Sequence, residues 1–351
     1  MSTATASERL ANSTFLRACR REPVDYTPIW IMRQAGRYLK AYRDLRAKFS
    51  FLDMCKSPEL ATEVTLMPIE AIGVDAAILF ADILLIAEPI GVGLTFAAGE
   101  GPSLPNPIRQ AEDLERLREV EPDESLGFVF EAARLVRRAL PPDIPLIGFA
   151  GAPFTVASYL VEGKGSRDYL HTKSLMYRDP GAWHALMEHL SRGLVKYLNG
   201  QIAAGASAVQ LFDSWVGALS PDDYRDFVLP HTRKVISGLT PGVPVIHFGT
   251  GNPTLLELMR DAGGDVIGLD WRVNLDEGWR RVGYDRGVQG NLDPVTLLAE
   301  PDEIRRRAKV VLDRAGGRNG HIFNLGHGIM RQTPPDHARA LVDAVHELSA
   351  R

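Results

Sequence analysis

Eight short apolar runs, spread over the chain and separated by longer amphipathic stretches, constrain its fold most. They fall at 28–33 (PIWIMR), 75–81 (DAAILFA), 145–150 (PLIGFA), 207–213 (SAVQLFD), 244–249 (PVIHFG), 265–270 (DVIGLD), 286–291 (RGVQGN) and 321–325 (HIFNL). Most are apolar nearly throughout rather than alternating, which marks strands buried on both faces, as in a parallel sheet covered by helices. The intervening stretches 58–72, 111–139, 180–204, 221–238, 253–263, 294–315 and 335–350 read as helices. Ser57-Pro58, Asp179-Pro180, Ser220-Pro221, Asn252-Pro253 and Thr333-Pro334 each place a capping side chain before a proline suited to the first turn. Eight strands alternating with helices define an α/β fold of the (β/α)8 TIM-barrel type, with an open doubly wound sheet as the alternative.

At 351 residues the chain is long enough for two domains, but α/β barrels reach this length as one. No Gly/Ser linker or low-complexity segment interrupts it, so residues 1–351 are read as a single barrel domain whose first dozen residues (1–12) are flexible. The stretch 86–108, containing GVGLTFAAGEGPSLPNP, is too irregular for a barrel helix and is expected to form a hairpin or flap over the mouth.

The net charge of −4 gives no overall basic field to attract nucleic acid or an anionic membrane, so an anionic ligand must meet a local cluster of cations. Two cysteines, Cys19 and Cys55, make no disulfide framework and fit a reducing compartment. The N-terminus lacks the basic start and apolar stretch of a signal peptide, and no run approaches membrane-spanning length. A cytoplasmic protein is the expectation.

In a barrel of this kind function sits at the C-terminal ends of the strands. Those positions hold Arg33 and Arg37, Asp82, the segment 151–159, Asp213 and Ser214, Gly249 and Gly251, Asp270, Asn291, Asn324 and His327. The opposite ends begin with Pro28, Asp75, Pro145, Pro244 and Asp265, which are turn residues. Arg33 and Arg37 are four apart and face the same way if the chain turns helical after the first strand. Gly36 lets the backbone bend or approach a ligand, and guanidinium forks suit carboxylates. Asp82, between AAILFA and ILLIA, is a carboxylate in apolar surroundings that needs a cation or N–H donors, or shifts its pKa upward. Tyr159 follows the third strand. Ser214 has no G-x-S-x-G elbow, so hydrogen bonding to a ligand suits it better than a nucleophile's role. His327 lies between Gly326 and Gly328 on the rim.

Several patterns carry no chemistry. His184 and His189 are five apart rather than the four of a zinc-binding helix. Neither cysteine lies in a metal-binding cluster, GVGLTF at 91–96 does not join a strand to a helix, and there is no P-loop. No cofactor or metal is therefore expected.

The strings WIMRQAGRYL, AAILFADIL, FAGAPFTVASYLVEG, QLFDSW, GNLDP and FNLGHGI resemble those of the uroporphyrinogen decarboxylases, in order, from about residue 13 to the end. The resemblance implies a cytosolic homodimeric barrel that, without a cofactor, removes four CO2 from the acetate arms of the tetrapyrrole uroporphyrinogen III, giving coproporphyrinogen III for haem synthesis. Carried over by position, Arg33 and Arg37 match substrate-carboxylate arginines within the substrate-binding run Arg33, Gln34, Ala35, Gly36, Arg37. Asp82 matches the aspartate that reaches the pyrrole N–H groups. Tyr159, Ser214 and His327 match residues lining the cleft, and Phe51 an apolar cleft position. Asp82, Arg33, Arg37 and Tyr159 are the implied catalytic set. Two rivals remain: a methyltransferase of the same superfamily, whose zinc-binding His-x-Cys is absent here, and a porphyrin-binding barrel without catalysis.

Overall fold

The apolar runs do become strands, and what joins the last to the first is not an ordinary ladder. The structure, a computed structural model, describes residues 5–96 and 101–351. Seven parallel strands form one sheet in the order β1 (Ala77–Ile78), β4 (Leu146–Gly151), β5 (Ala208–Asp213), β6 (Val245–Gly249), β7 (Val266–Gly268), β8 (Gly287–Gln289) and β9 (His321–Ile322). Neighbours stay in step, with Ala77 opposite Leu146, Val209 opposite Val245 and Val288 opposite His321. Almost every residue in these strands is buried, as the continuous hydrophobicity requires.

The remaining run, 28–33, closes the barrel through an isolated parallel bridge between Ile29 and Phe323. Phe323 N–H donates to the Pro28 carbonyl (2.8 Å), and Asp75 N–H donates to the Ile29 carbonyl (2.8 Å). Trp30 N–H adds a long main-chain bond to the Phe323 carbonyl (3.4 Å), and no longer ladder forms because three other amides of the segment bond to side chains. Ile29 N–H goes to Asp75 Oδ2 (2.7 Å), Ile31 N–H to Gln34 Oε1 (3.0 Å) and Met32 N–H to Asn324 Oδ1 (3.0 Å). Gln34 is fully buried, and its Nε2 donates to the Ala76 carbonyl beside β1 (3.0 Å).

Helices wrap the sheet, and their starts follow from the caps. Ser57, Asp179 and Ser220 each accept an N–H from the first turn of the helices Pro58–Ile72, Pro180–Ala203 and Pro221–Phe227. Two expected caps fail. Asn252 is buried, donating to the Gly268 carbonyl (3.1 Å), and its helix begins only at Leu256. Thr333 caps nothing; the helix Pro335–Ser349 starts without a side-chain cap. Prolines also split three expected helices, since each lacks an N–H. The stretch 111–139 breaks into Ala111–Arg116, Pro122–Ser125 and Gly127–Ala139; 221–238 breaks before Leu229–Ser237; and 294–315 breaks before Pro301–Ala315. Leu275–Val282, between β7 and β8, is a further helix whose eight residues were too few for its periodicity to stand out.

Of the first dozen residues, expected to be flexible, Ala6–Ala11 are helical, with a capping box from Thr5 and no buried residue. The expected flap is a hairpin in which β2 (Thr95–Phe96) pairs antiparallel with β3 (Pro102–Ser103); its tip, 97–100, lies outside the described residues. Among the described residues no helix is long and apolar enough to cross a membrane.

Gln34→Ala should cost about 3 kcal/mol, because it orphans the buried Ile31 N–H and leaves a void. Urea unfolding measures this. Unchanged stability would show that the barrel closes without this amide.

Candidate active site

The strand ends open into a cavity of about 1330 Å³ lined by the segment after 28–31, the residues following β1, the hairpin, β4 to β6 and the loop after β9. Phe149 and Phe212 meet edge to face at 5.5 Å, Phe212 and Phe248 at 6.0 Å, and together they give the cavity aromatic walls. Phe51, on the helix Phe51–Lys56, lines it too, its ring edge-on to Phe80 (5.7 Å) and to Phe96 of the hairpin (4.9 Å). Strand alternation explains part of this selection: Phe212 and Ser214 line the cavity, while Asp213 between them is fully buried and accepts from Thr155 Oγ1 at 2.8 Å.

Arg33, Ala35, Gly36, Arg37, Phe51, Asp82, Tyr159, Ser214 and His327 all line this one cavity. The Gln34 side chain does not: both ends of its amide are engaged inside the barrel wall. The expected helical turn is absent too. Residues 32–39 form turns, with Arg33 in the left-handed region (φ 62°), and a helix begins only at Lys40. Gly36 is required by this turn, because a Cβ there would lie 2.8 Å from the Arg33 carbonyl oxygen. Gly328 has the complementary role: a Cβ would lie 2.4 Å from Arg33 Cδ, so the arginine passes over its backbone.

Arg272 pairs with Asp270, but neither Arg33 nor Arg37 has an ion-pair partner among the described residues. The motif-based reading missed three further cations in the lining, Arg46, Lys48 and Arg331. Among the described residues Asp82 is the one acidic side chain of the lining, set against five basic ones, so the described lining carries a formal charge of +4 with Asp82 ionised. Arg46 ends the helix Lys40–Arg46 that follows the motif, Lys48 lies in the turn after it, and Arg331 follows His327 in a loop; no local pattern marks them.

Burial pushes the Asp82 carboxyl up to about 6, against the Leu84 N–H (2.8 Å from Oδ1) and the charge of Arg33, which favour the ionised form. Burial, reinforced by Arg33, lowers His327 to about 4, so its imidazole is neutral near pH 7. Burial, with Asp82 nearby, raises the Tyr159 phenol and keeps its proton on. Tyr159 is held by stacking on Trp215, with ring centroids 3.9 Å apart. Other polar residues of the rim are scaffolding: Asp270 accepts from Gly251 N–H (2.6 Å), Asn291 donates to the Asp270 carbonyl (2.9 Å), and Asn324 takes the Met32 amide. Among the described residues no group of three or more His, Cys, Asp or Glu is placed to share a metal ion.

Fold and site define a (β/α)8 barrel with a cationic, aromatic-walled pocket at its C-terminal rim, the position of barrel-enzyme active sites. The family model for uroporphyrinogen decarboxylase matches residues 10–348. The chain is 57% identical to the uroporphyrinogen decarboxylase of Carboxydothermus hydrogenoformans, over 97% of both chains. It is 60% identical to that of Sorangium cellulosum, over 95% of this chain and 96% of the relative. A methyltransferase from Methanosarcina mazei shares the fold, with a TM-score of 0.80 and 24% identity over 98% of this chain and 99% of the other. The chain belongs to the uroporphyrinogen decarboxylase family, and it is a carboxy-lyase of that family.

Asp82 gives a stability signature of its own. A folded-state carboxyl near 6 against an ordinary value of 3.8 means that the native protein binds the proton more tightly than the unfolded chain. That contribution is full below about pH 4 and is lost as pH rises through 6. Asp82→Asn, neutral throughout, should therefore match the wild type in Tm near pH 4 and exceed it by pH 8. A gap that does not change with pH would place the titration elsewhere.

Proposed function

We propose that this chain, as one barrel domain over 1–351, takes uroporphyrinogen III to coproporphyrinogen III by removing CO2 from its four acetate arms in turn. The observation that carries the reading is a recessed carboxylate, Asp82, which among the described lining residues stands alone against five cations and aromatic walls. The substrate has the complementary layout, with four pyrrole N–H groups at its centre, an apolar ring and eight carboxylates at its edge.

In each round the bond between the acetate methylene and its carboxyl carbon breaks. Its electron pair needs a sink, and a pyrrole protonated at a ring carbon provides one. CO2 leaves as the pair enters the ring; a proton then adds to the methylene to make a methyl group, and the ring carbon gives up the proton it took. The net change is one proton consumed and one CO2 released. The substrate thus supplies what a cofactor supplies elsewhere, and the reading includes no cofactor.

Asp82 accepts the pyrrole N–H groups and stabilises the positive charge that develops on the ring, a fixed charge aimed at the transition state. Arg33, close enough to Asp82 to act on its pKa, holds the carboxylate of the reacting arm. A guanidinium does not release its own proton, so the proton reaches the ring through a water that Arg33 holds. Arg37 binds a second carboxylate. Tyr159 donates its hydroxyl proton to an arm, Ser214 hydrogen-bonds another, and neutral His327 lines the cleft without adding charge. Phe51 and the hairpin cover one face of the ring. Following the resemblance in RQAGRYL and FNLGHGI, the chain works as a homodimer in the cytoplasm; nucleic acid and membrane play no part.

Anaerobic incubation with uroporphyrinogen, then oxidation and chromatography, should show four carboxylates lost; unchanged octacarboxylate would overturn the reading. Asp82→Asn should keep its fold and lose nearly all turnover, and near-normal kcat would remove Asp82 from the chemistry. Arg37→Ala should act mainly on KM, by the roughly 1.5–3 kcal/mol of a charge-assisted contact. Unaltered KM and kcat would show that this side chain does not touch substrate.

A further inference from the structure

Two segments at the cavity's edge share a pattern that the decarboxylation steps above leave unused. The turn between the helices Lys40–Arg46 and Phe51–Lys56 sets Lys48 beside Phe49, and the loop after β9 sets Met330 beside Arg331. All four residues line the cavity. Phe49 and Met330 are 38% and 36% exposed, two of only seven large apolar side chains so exposed among the described residues. One such residue means little; two around a single cavity, each next to a cation, make a pattern. Lys48 and Arg331 are exposed and have neither an ion-pair nor a side-chain hydrogen-bond partner among the described residues. Among the described residues Arg33 and Arg37 are exposed and unpaired as well, but two of the cations nearer the motif are set in place by the chain. Arg33 is fixed by its left-handed backbone and by Gly328, and Arg46 donates to the Phe49 carbonyl.

An apolar surface next to a long-stemmed cation, repeated on two segments, complements the edge of an apolar ring fringed by carboxylates. With Asp82 under the ring's centre, the carboxylate-bearing edge of the ring comes to these segments of the lining. Acetates become methyls round by round, so only the propionates stay charged throughout. The ring must also be presented afresh each round, which moves its carboxylates. Unpaired cations on long flexible stems tolerate that movement better than an arginine set by its backbone and by its passage over Gly328.

We infer that Lys48 with Phe49 and Arg331 with Met330 form a rim subsite for the propionate-bearing outer edge of the macrocycle, which retains partly decarboxylated intermediates between rounds. The inference rests on the functional reading above and adds to it a subsite that the reaction steps do not require.

The test is the full-length chain carrying Lys48→Ala together with Arg331→Ala, assayed with uroporphyrinogen and with the seven-carboxylate intermediate. KM should rise roughly tenfold for both substrates while kcat stays within about threefold. Seven-, six- and five-carboxylate species should also build up in solution earlier than with the wild type. The charge-keeping pair, Lys48→Arg with Arg331→Lys, should restore most of the affinity. An unchanged KM, a rise confined to the octacarboxylate, or equal damage from the charge-keeping pair would each overturn the rim subsite. If the wild type itself does not turn over, the functional reading fails separately. Calorimetry with oxidised uroporphyrin then still tests the rim, and equal affinity in wild type and alanine variant overturns it.

Discussion

Ile29 and Phe323 meet by a single bridge, and the barrel depends on what surrounds that bridge. An edge strand with unpaired amides would leave the sheet open, so the amides of residues 29, 31 and 32 are taken up by Asp75, Gln34 and Asn324 side chains instead. Using side chains here has a consequence for function. A main-chain ladder would carry the segment on as a straight strand past Met32. Side-chain acceptors let it turn at Arg33, in a left-handed conformation that a ladder residue does not adopt. The closure of the barrel and the placing of Arg33 at its mouth are thus one structural event.

The turn also resolves an electrostatic difficulty. A chain of net charge −4 repels a polyanion at long range, and the described lining answers with five cations around one carboxylate. Many surface arginines of this protein are matched with acids, as Arg281 is with Glu257 and Arg306 with Glu303. Arg33, Arg37, Arg46, Lys48 and Arg331 have no such partner among the described residues, which leaves their charge available to a ligand. Neutral His327 and protonated Tyr159 fit the same balance: each adds polarity to the cleft without changing its charge.

How much of this was legible beforehand depended on whether a feature is local. Ser57-Pro58 fixed the helix Pro58–Ile72 at its first residue because cap and proline act within one turn. The strands were visible as apolar runs, but the first could not be seen to be a lone bridge, since its hydrogen-bond partners lie 46 and 292 positions away. The place of the Gln34 side chain was hidden because a contiguous motif invites one role for all its members, whereas the turn aims neighbouring side chains in different directions. Of the polar residues at the strand ends, Asp213, Asp270, Asn291 and Asn324 serve as scaffold and Asp82, Ser214 and His327 face the cavity; composition does not separate them, and strand alternation does so only once register is known. Arg46 reaches the cavity as the last residue of the short helix Lys40–Arg46, and Lys48 and Arg331 from a turn and a loop.

Two aspartates flanking β1 show how the same side chain is used for opposite ends. Asp75, at the barrel's closed end, receives the Tyr26 hydroxyl (3.0 Å), the Ile29 amide (2.7 Å) and His346 Nε2 (2.8 Å). Asp82, at the open end, receives among the described residues only the Leu84 amide, although a carboxylate has room for about four donors. Burial raises its pKa because those remaining sites go unanswered. A structural role would be poorly served by such an arrangement, since further donors of the kind that surround Asp75 would relieve the cost. A catalytic role is served by it: the acceptor sites stay open towards the cavity, where a ring of N–H donors carrying developing positive charge would satisfy them more strongly in the transition state than in the ground state.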